Sequence, residues 1–382
     1  MYALLGTTGC TMTLAVVLSA CGAVGPMQSA DTDSADRGSV TNYSIICVIH
    51  GDGDYLYHDT SGTEYRADEE ALAEAKRIGE HNPFAEVFIY DQKPRRHVLF
   101  LFPLHDGDFS YYLHGKLIAE ESYWRDQEGS PWAAETALYR RYRTACLQQP
   151  VRVFVYCGHE IPEFAGGGYD ASYPDRSFTV HDFATGVQGF IRDDAKFALM
   201  VLSTCFGGTP RTIAALGPFS RFIVASPENL HLSYFDFRPL ERLDLGLHDG
   251  DVAGFAARYA RQSFERLTAN IQTAVSVGVY DVDRVMEYVN AVHPEYDLML
   301  DSWSNDPQGA MIRLEHCDCG DLPAYLLPEM HEGVEVLYRP ARFGRLKEKQ
   351  MHSGWECWRD RGVRTAEARI APLYPGGTSE PR

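Results

Sequence analysis

Val151-Arg-Val-Phe-Val-Tyr-Cys-Gly158-His159 and Phe197-Ala-Leu-Met-Val-Leu-Ser-Thr-Cys205 are the two stretches on which the reading of this chain turns. Each is an apolar run of strand length, and each ends in a reactive side chain. Runs that are apolar on both sides of the pleat belong in a parallel sheet covered on both faces. In such sheets reactive groups collect beyond the carboxyl ends of the strands. If the two strands are neighbours, an imidazole and a thiol converge there. A free thiol, with a pKa of about 8.5, is mostly protonated at neutral pH. An adjacent imidazole takes that proton and later returns it to a leaving amine.

Outward from this pair, Ser44 to Ile49, Ala85 to Tyr90 and Phe222 to Ala225 read as further strands. Helical patterns separate them at Asp68 to Glu80, Pro131 to Leu147, Phe183 to Arg192 and Thr209 to Leu216. The first is acidic at its start and carries Lys76 and Arg77 late, as the helix dipole favours. Thr209 suits an N-cap and Pro210 a first helical position. This alternation predicts an α/β fold with a mostly parallel sheet. His97 to Ile118 departs from it: two β-rich runs flank His105-Asp106-Gly107-Asp108, which predicts a hairpin turning there. Helices are expected at Val252 to Asn270 and Val282 to Val292.

The N-terminal 1–21 reads as a targeting segment. Leu14 to Leu18 lie in an apolar run too short to span a bilayer, and Leu18-Ser19-Ala20-Cys21 resembles the bacterial lipobox. No Lys or Arg precedes Cys21, so either the α-amino group serves alone or the start lies elsewhere. Lipidation at Cys21 would tether the body to the bacterial cell envelope, at the outer membrane, through a flexible 22–40 segment. The expected order is completed by a core at 41–240 with a hairpin insertion near 97–118, a mainly helical subdomain at 241–345 and a tail at 346–382.

Net charge is −18, which argues against nucleic acid as a partner. Nine Cys less Cys10 and Cys21 leave seven, so at least one thiol is free. Cys47 and Cys157 lie in apolar runs and read as buried; Cys317-x-Cys319 lacks the spacing of a zinc site. His159-Glu160 opens a zincin-like pattern, but Glu163 stands where the second His is required, and Pro162 breaks the helix. No serine-hydrolase elbow, phosphate loop or dinucleotide fingerprint is present. No metal or cofactor is expected.

An apolar strand ending in His, a spacer, and an apolar strand ending in Cys resemble the caspase-like cysteine peptidases, and among them the clostripain family. Supporting segments are Ile45-Ile-Cys-Val-Ile-His-Gly-Asp52-Gly-Asp54, Phe164-Ala-Gly-Gly-Gly-Tyr-Asp170, Ile223-Val-Ala-Ser226-Pro-Glu228, Val277-Gly-Val-Tyr-Asp281 and Asp318-Cys-Gly-Asp321. The resemblance implies a three-layer α/β/α sandwich with a helical C-terminal extension. It implies Cys205 as nucleophile and His159 as general acid–base on a peptide or protein substrate. Oxyanion contacts would come from the backbone at Cys205 and around His159, at Gly158 or Glu160. Ser203, Thr204, Asp52 and Ser226 would line the substrate pocket. Two departures stand out. Glu160 follows the His where the family usually has Gly, and Ser203 replaces an Asp that receives basic substrate residues. They keep open a second reading, a catalytically inactive lipoprotein that uses the fold for binding.

Overall fold

Strand side chains point alternately to the two faces of a sheet, so a run apolar at every position needs cover on both. The strands of this chain meet that condition. The computed structural model describes residues 41–99, 101–125, 129–144, 150–162, 168–191, 195–230, 233–245, 251–287, 290 and 333–343. Nine strands form its main sheet: β1 (Tyr43–His50), β2 (Ala85–Gln92), β3 (Gly107–Leu113), β4 (Lys116–Tyr123), β5 (Val151–Cys157), β6 (Phe197–Ser203), β7 (Ser220–Ala225), β8 (Val275–Asp281) and β9 (Val334–Arg339). Their order is β9-β8-β7-β6-β5-β1-β2-β3-β4. β2, β1, β5, β6 and β7 run parallel, and an antiparallel pair extends the sheet on each side.

Five α-helices are described: α1 (Ala67–His81), α2 (Ala133–Tyr142), α3 (Val180–Gln188), α4 (Pro210–Leu216) and α5 (Val252–Asn270). Ile46, Val48, Phe154, Tyr156, Met200 and Leu202 share one core with Leu138 of α2, Phe183 of α3 and Ile213 of α4. The alternate positions Ile45, Cys47, Ile49, Val153, Val155 and Val201 share the other with Ala75 and Ile78 of α1 and Tyr259 of α5. The layers are therefore α/β/α. Each fully buried Val, Leu, Ile or Phe contributes about 1.5–3 kcal/mol.

Helix ends follow local chemistry. α3 begins at Val180, three residues ahead of expectation, because the Thr179 N–H donates to Asp182 Oδ2 at 2.8 Å. α2 stops at Tyr142, short of the expected end. There the Thr144 N–H and hydroxyl both donate to Glu86 Oε2, at 3.1 and 2.8 Å, and draw the chain out of the helix. α4 has its expected cap, with the Thr212 N–H donating to Thr209 Oγ1 at 3.3 Å.

One expectation is corrected. Residues 105–108 are not the turn between two paired strands. They lead into β3, and the reversal falls at His114-Gly115, where φ values of 52° and 80° supply the left-handed backbone of a tight hairpin. A second, separate hairpin pairs His97–Val98 with Phe102–Pro103. Among the described residues of the expected 241–345 subdomain, α5 packs on the sheet, and β8 and β9 extend it. Residues 282–287 are helical as expected. The targeting segment, the tether and the tail lie outside the described residues, as do Cys146, Cys317, Cys319 and Cys357. No described helix is long and apolar enough to cross a membrane.

Candidate active site

The register of the central strands sets this site. β5 and β6 are hydrogen-bonded parallel neighbours with Cys157 opposite Ser203. His159 and Cys205 each lie two residues beyond that pair, so both leave the sheet at the same carboxyl rim. The Gly158 N–H donates to Ser203 O at 3.2 Å, and Thr204 Oγ1 donates to His159 O at 2.6 Å. The chain at the imidazole is thus fastened to the chain at the thiol. Both residues are half-buried.

The turn after Cys205 is tight. Phe206 has a φ of 53°, a left-handed conformation that costs a non-glycine residue about 1–3 kcal/mol. Its N–H is held by Glu228 O at 3.1 Å, and the Gly208 N–H by Ser226 O at 2.9 Å. Across that turn, the Cys205 thiol lies 3.2 Å from Asn229 Oδ1, to which it can donate, and its sulfur accepts the Leu230 N–H at 3.2 Å.

The imidazole is held from the opposite side. The backbone N–H of His159 donates to the Tyr55 hydroxyl at 3.0 Å, and the two rings pack with centroids 4.9 Å apart. Gly53 lies against the same ring: a Cβ there would come within 2.6 Å of His159 Cδ2, so this position requires glycine. Burial pushes the His159 pKa below its usual value; His50 adds to the fall and Asp54 opposes it. The ring is therefore neutral, and able to accept a proton, at neutral pH.

Beneath this pair lies a buried polar chain. Tyr55 Oη is 2.5 Å from His50 Nδ1, and His50 Nε2 is 2.9 Å from Asp170 Oδ1. The consistent proton arrangement has the Tyr55 hydroxyl donating to Nδ1 and the Nε2–H donating to Asp170. Burial lowers the His50 pKa, which suits this neutral tautomer. Arg125 pairs with Asp170 and, at 3.3 Å, with Asp52. Burial alone would raise the Asp170 carboxyl; the bond from His50 and the charge of Arg125 override it and hold the pKa at about 2. Asp52 Oδ1 in turn accepts the Ser172 hydroxyl at 2.7 Å.

Of the residues expected at the pocket wall, Asp52, Ser203, Thr204 and Ser226 are all buried. Asp52 belongs to the ion network. Ser203 Oγ accepts the Phe235 N–H at 2.8 Å, and Ser226 Oγ donates to Glu228 O at 2.8 Å. Thr204 joins the two strand ends. Of the expected oxyanion set, the Gly158 N–H is spent on the sheet, donating to Ser203 O. Cys47 and Cys157 are buried free thiols, each pushed up to about 12 by burial, and so are inert beside Cys205. Sequence reasoning did not find Tyr55, Arg125, Asn229 or Leu230. The one available signal was polar: His50 closes a mostly apolar strand and Asp52 follows it, and buried polar groups need partners. Among the described residues no cluster of His, Cys, Asp and Glu is suited to a metal ion.

An α/β/α sandwich with an imidazole and a thiol at adjacent parallel strand ends is thus the class of molecule defined here. No family model matches the sequence, and no curated protein matches it. Solved structures similar to it are C11, clostripain-like, cysteine proteases. One is a secreted C11 cysteine protease from Bacteroides thetaiotaomicron in complex with an irreversible peptide inhibitor, with TM-score 0.46 and 11% identity over 66% of this chain and 69% of that one. A second is the same organism's secreted C11 cysteine protease iotapain, with TM-score 0.46 and 10% identity over 68% of this chain and 71% of that one. A third is an inactive zymogen C11 protease from Parabacteroides distasonis, with TM-score 0.45 and 14% identity over 77% of this chain and 75% of that one. At identities of 10–14%, the chemistry of this site is argued from its own residues.

Proposed function

We propose that this protein is a cysteine endopeptidase in which Cys205 attacks the scissile carbonyl and His159 is the general acid–base. The carrying observation is the register of β5 and β6, which brings His159 and Cys205 to one rim. His159 takes the thiol proton, and the sulfur forms a bond to the carbonyl carbon. The oxyanion is held by the Cys205 and Glu160 N–H groups, an arrangement that lowers the barrier by about 3–4 kcal/mol per donor. His159 returns the proton to the leaving amine, then activates the water that frees the acyl group. The lowered His159 pKa supports its role as the base. A lipid anchor at Cys21, holding the body at the cell envelope, is part of the same reading.

A second reading, an inactive binding protein, is favoured by one observation: Ser203, where an open specificity pocket was expected, is buried and bonded to the Phe235 N–H. A thiol-reactive peptide electrophile separates the two. The peptidase is labelled at Cys205 alone, and His159→Ala slows that labelling at least a hundredfold. Equal labelling of several cysteines, indifferent to His159, supports the binding protein instead.

A further inference from the structure

The run Val98-Leu-Phe-Leu-Phe-Pro-Leu104 has the composition of a core strand, yet its described residues are not in the core. Its only described pairing is within itself, His97–Val98 against Phe102–Pro103. Every described residue from Arg95 to His105 is exposed. Leu99 and Leu101 are 75% and 76% exposed and Phe102 is 63% exposed. Lone exposed apolar side chains are ordinary, whereas a contiguous group of this kind marks a contact surface.

The foot of this finger is built firmly. The Lys93 N–H donates to Asp106 O at 2.8 Å, the Leu104 N–H to Arg96 O at 2.9 Å, and the Arg95 N–H to Ser172 Oγ at 2.9 Å. Arg95 and Arg96, both exposed, place two cations at the foot of the finger, the Arg95 guanidinium 5.7 Å from the Tyr173 ring centroid, on a chain whose net charge is −18. At the base, Trp124 is 47% exposed and packs on His105 with centroids 4.6 Å apart. The order along the finger is therefore apolar tip, cations, then an amphipathic aromatic ring. A lipid surface presents the complementary order: apolar interior, anionic phosphates, and an interfacial zone that Trp favours. A protein partner would ask for one apolar face, whereas this narrow hairpin exposes apolar side chains on both.

We infer that the 95–105 finger inserts its tip into an anionic lipid bilayer. It follows β2, whose carboxyl end shares the rim with His159 and Cys205, so insertion turns that rim toward the membrane surface. The inference rests neither on peptidase chemistry nor on an acyl anchor.

The test uses the full chain carrying Cys21→Ser, so that no acyl group is attached, in sedimentation with vesicles of phosphatidylglycerol and phosphatidylethanolamine, and of phosphatidylcholine alone. The expected result is binding to the anionic vesicles that weakens with salt. Leu99→Glu/Leu101→Glu should weaken it at least tenfold and Arg95→Glu/Arg96→Glu several-fold, with unchanged melting temperatures. Leu99→Ser/Leu101→Ser, a milder change at the same exposed positions, should weaken it in the same direction. Equal binding by the parent and both leucine variants overturns the inference. So does hairpin-dependent self-association, or capture of an acidic protein, without vesicle binding.

Discussion

Tyr55→Phe removes one oxygen atom and leaves the ring, so it isolates the polar link between the imidazole segment and the buried ion network. Tyr55 is 3% exposed, and its hydroxyl serves two partners, the backbone N–H of His159 at 3.0 Å and His50 Nδ1 at 2.5 Å. Phenylalanine keeps the ring contact with His159 and opens no large cavity. It leaves one donor and one acceptor without their partner, at about 1–2 kcal/mol each. The expected loss is about 2–4 kcal/mol. With a urea slope of about 3 kcal/mol per molar, the unfolding midpoint falls by about 1 M. Equilibrium urea unfolding followed by tryptophan fluorescence reads that shift. In parallel, the rate of Cys205 labelling should fall about tenfold, because the His159 backbone loses its outer support. An unchanged midpoint and an unchanged labelling rate would refute the reasoning, since the hydroxyl would then be shown to hold nothing.

Two further outcomes follow from the same geometry. Gly53→Ala puts a methyl group 2.6 Å from His159 Cδ2, so the ring must shift by about 1 Å. A displacement of that size costs about a hundredfold in kcat/KM, measured on a peptide substrate, while melting temperature changes little. The Asp170 carboxyl has its pKa lowered from 3.8 to about 2 in the folded protein. Its contribution, about 2 kcal/mol, is complete above the unfolded pKa and disappears as pH falls from about 5 through 2. Urea midpoints at pH 5.5 and 2.5 should differ by less in Asp170→Asn than in the parent chain.

The central strands were legible because a fully buried parallel strand leaves an uninterrupted apolar run: the expected β6 matches Phe197–Ser203, and β1, β2 and β5 differ by only one or two residues at their ends. The pairing of His159 with Cys205 at one rim was legible for a related reason. Parallel neighbours share a direction, so two strands that end in reactive groups present them on the same side. The network under the site was not legible. Arg125 and Asp170 lie far from His50 in sequence, and although Tyr55 is only five residues away, nothing local marks any of the three as its partner. Val98 to Leu104 misleads in the other direction: its composition is that of a core strand, and only the tertiary structure shows its described residues standing in solvent. The hairpin reversal was assigned to 105–108 on turn-forming composition. His114-Gly115 took the turn instead, because β3 needs all of Gly107–Leu113 to pair with β2.

The most direct test is peptide hydrolysis by the purified full chain, using a mixed peptide library with cleavage products identified by mass spectrometry. The account predicts internal cleavage that disappears in Cys205→Ala and falls at least a thousandfold in His159→Ala, with both variants folded as judged by circular dichroism. Cleavage that persists in Cys205→Ala would contradict it.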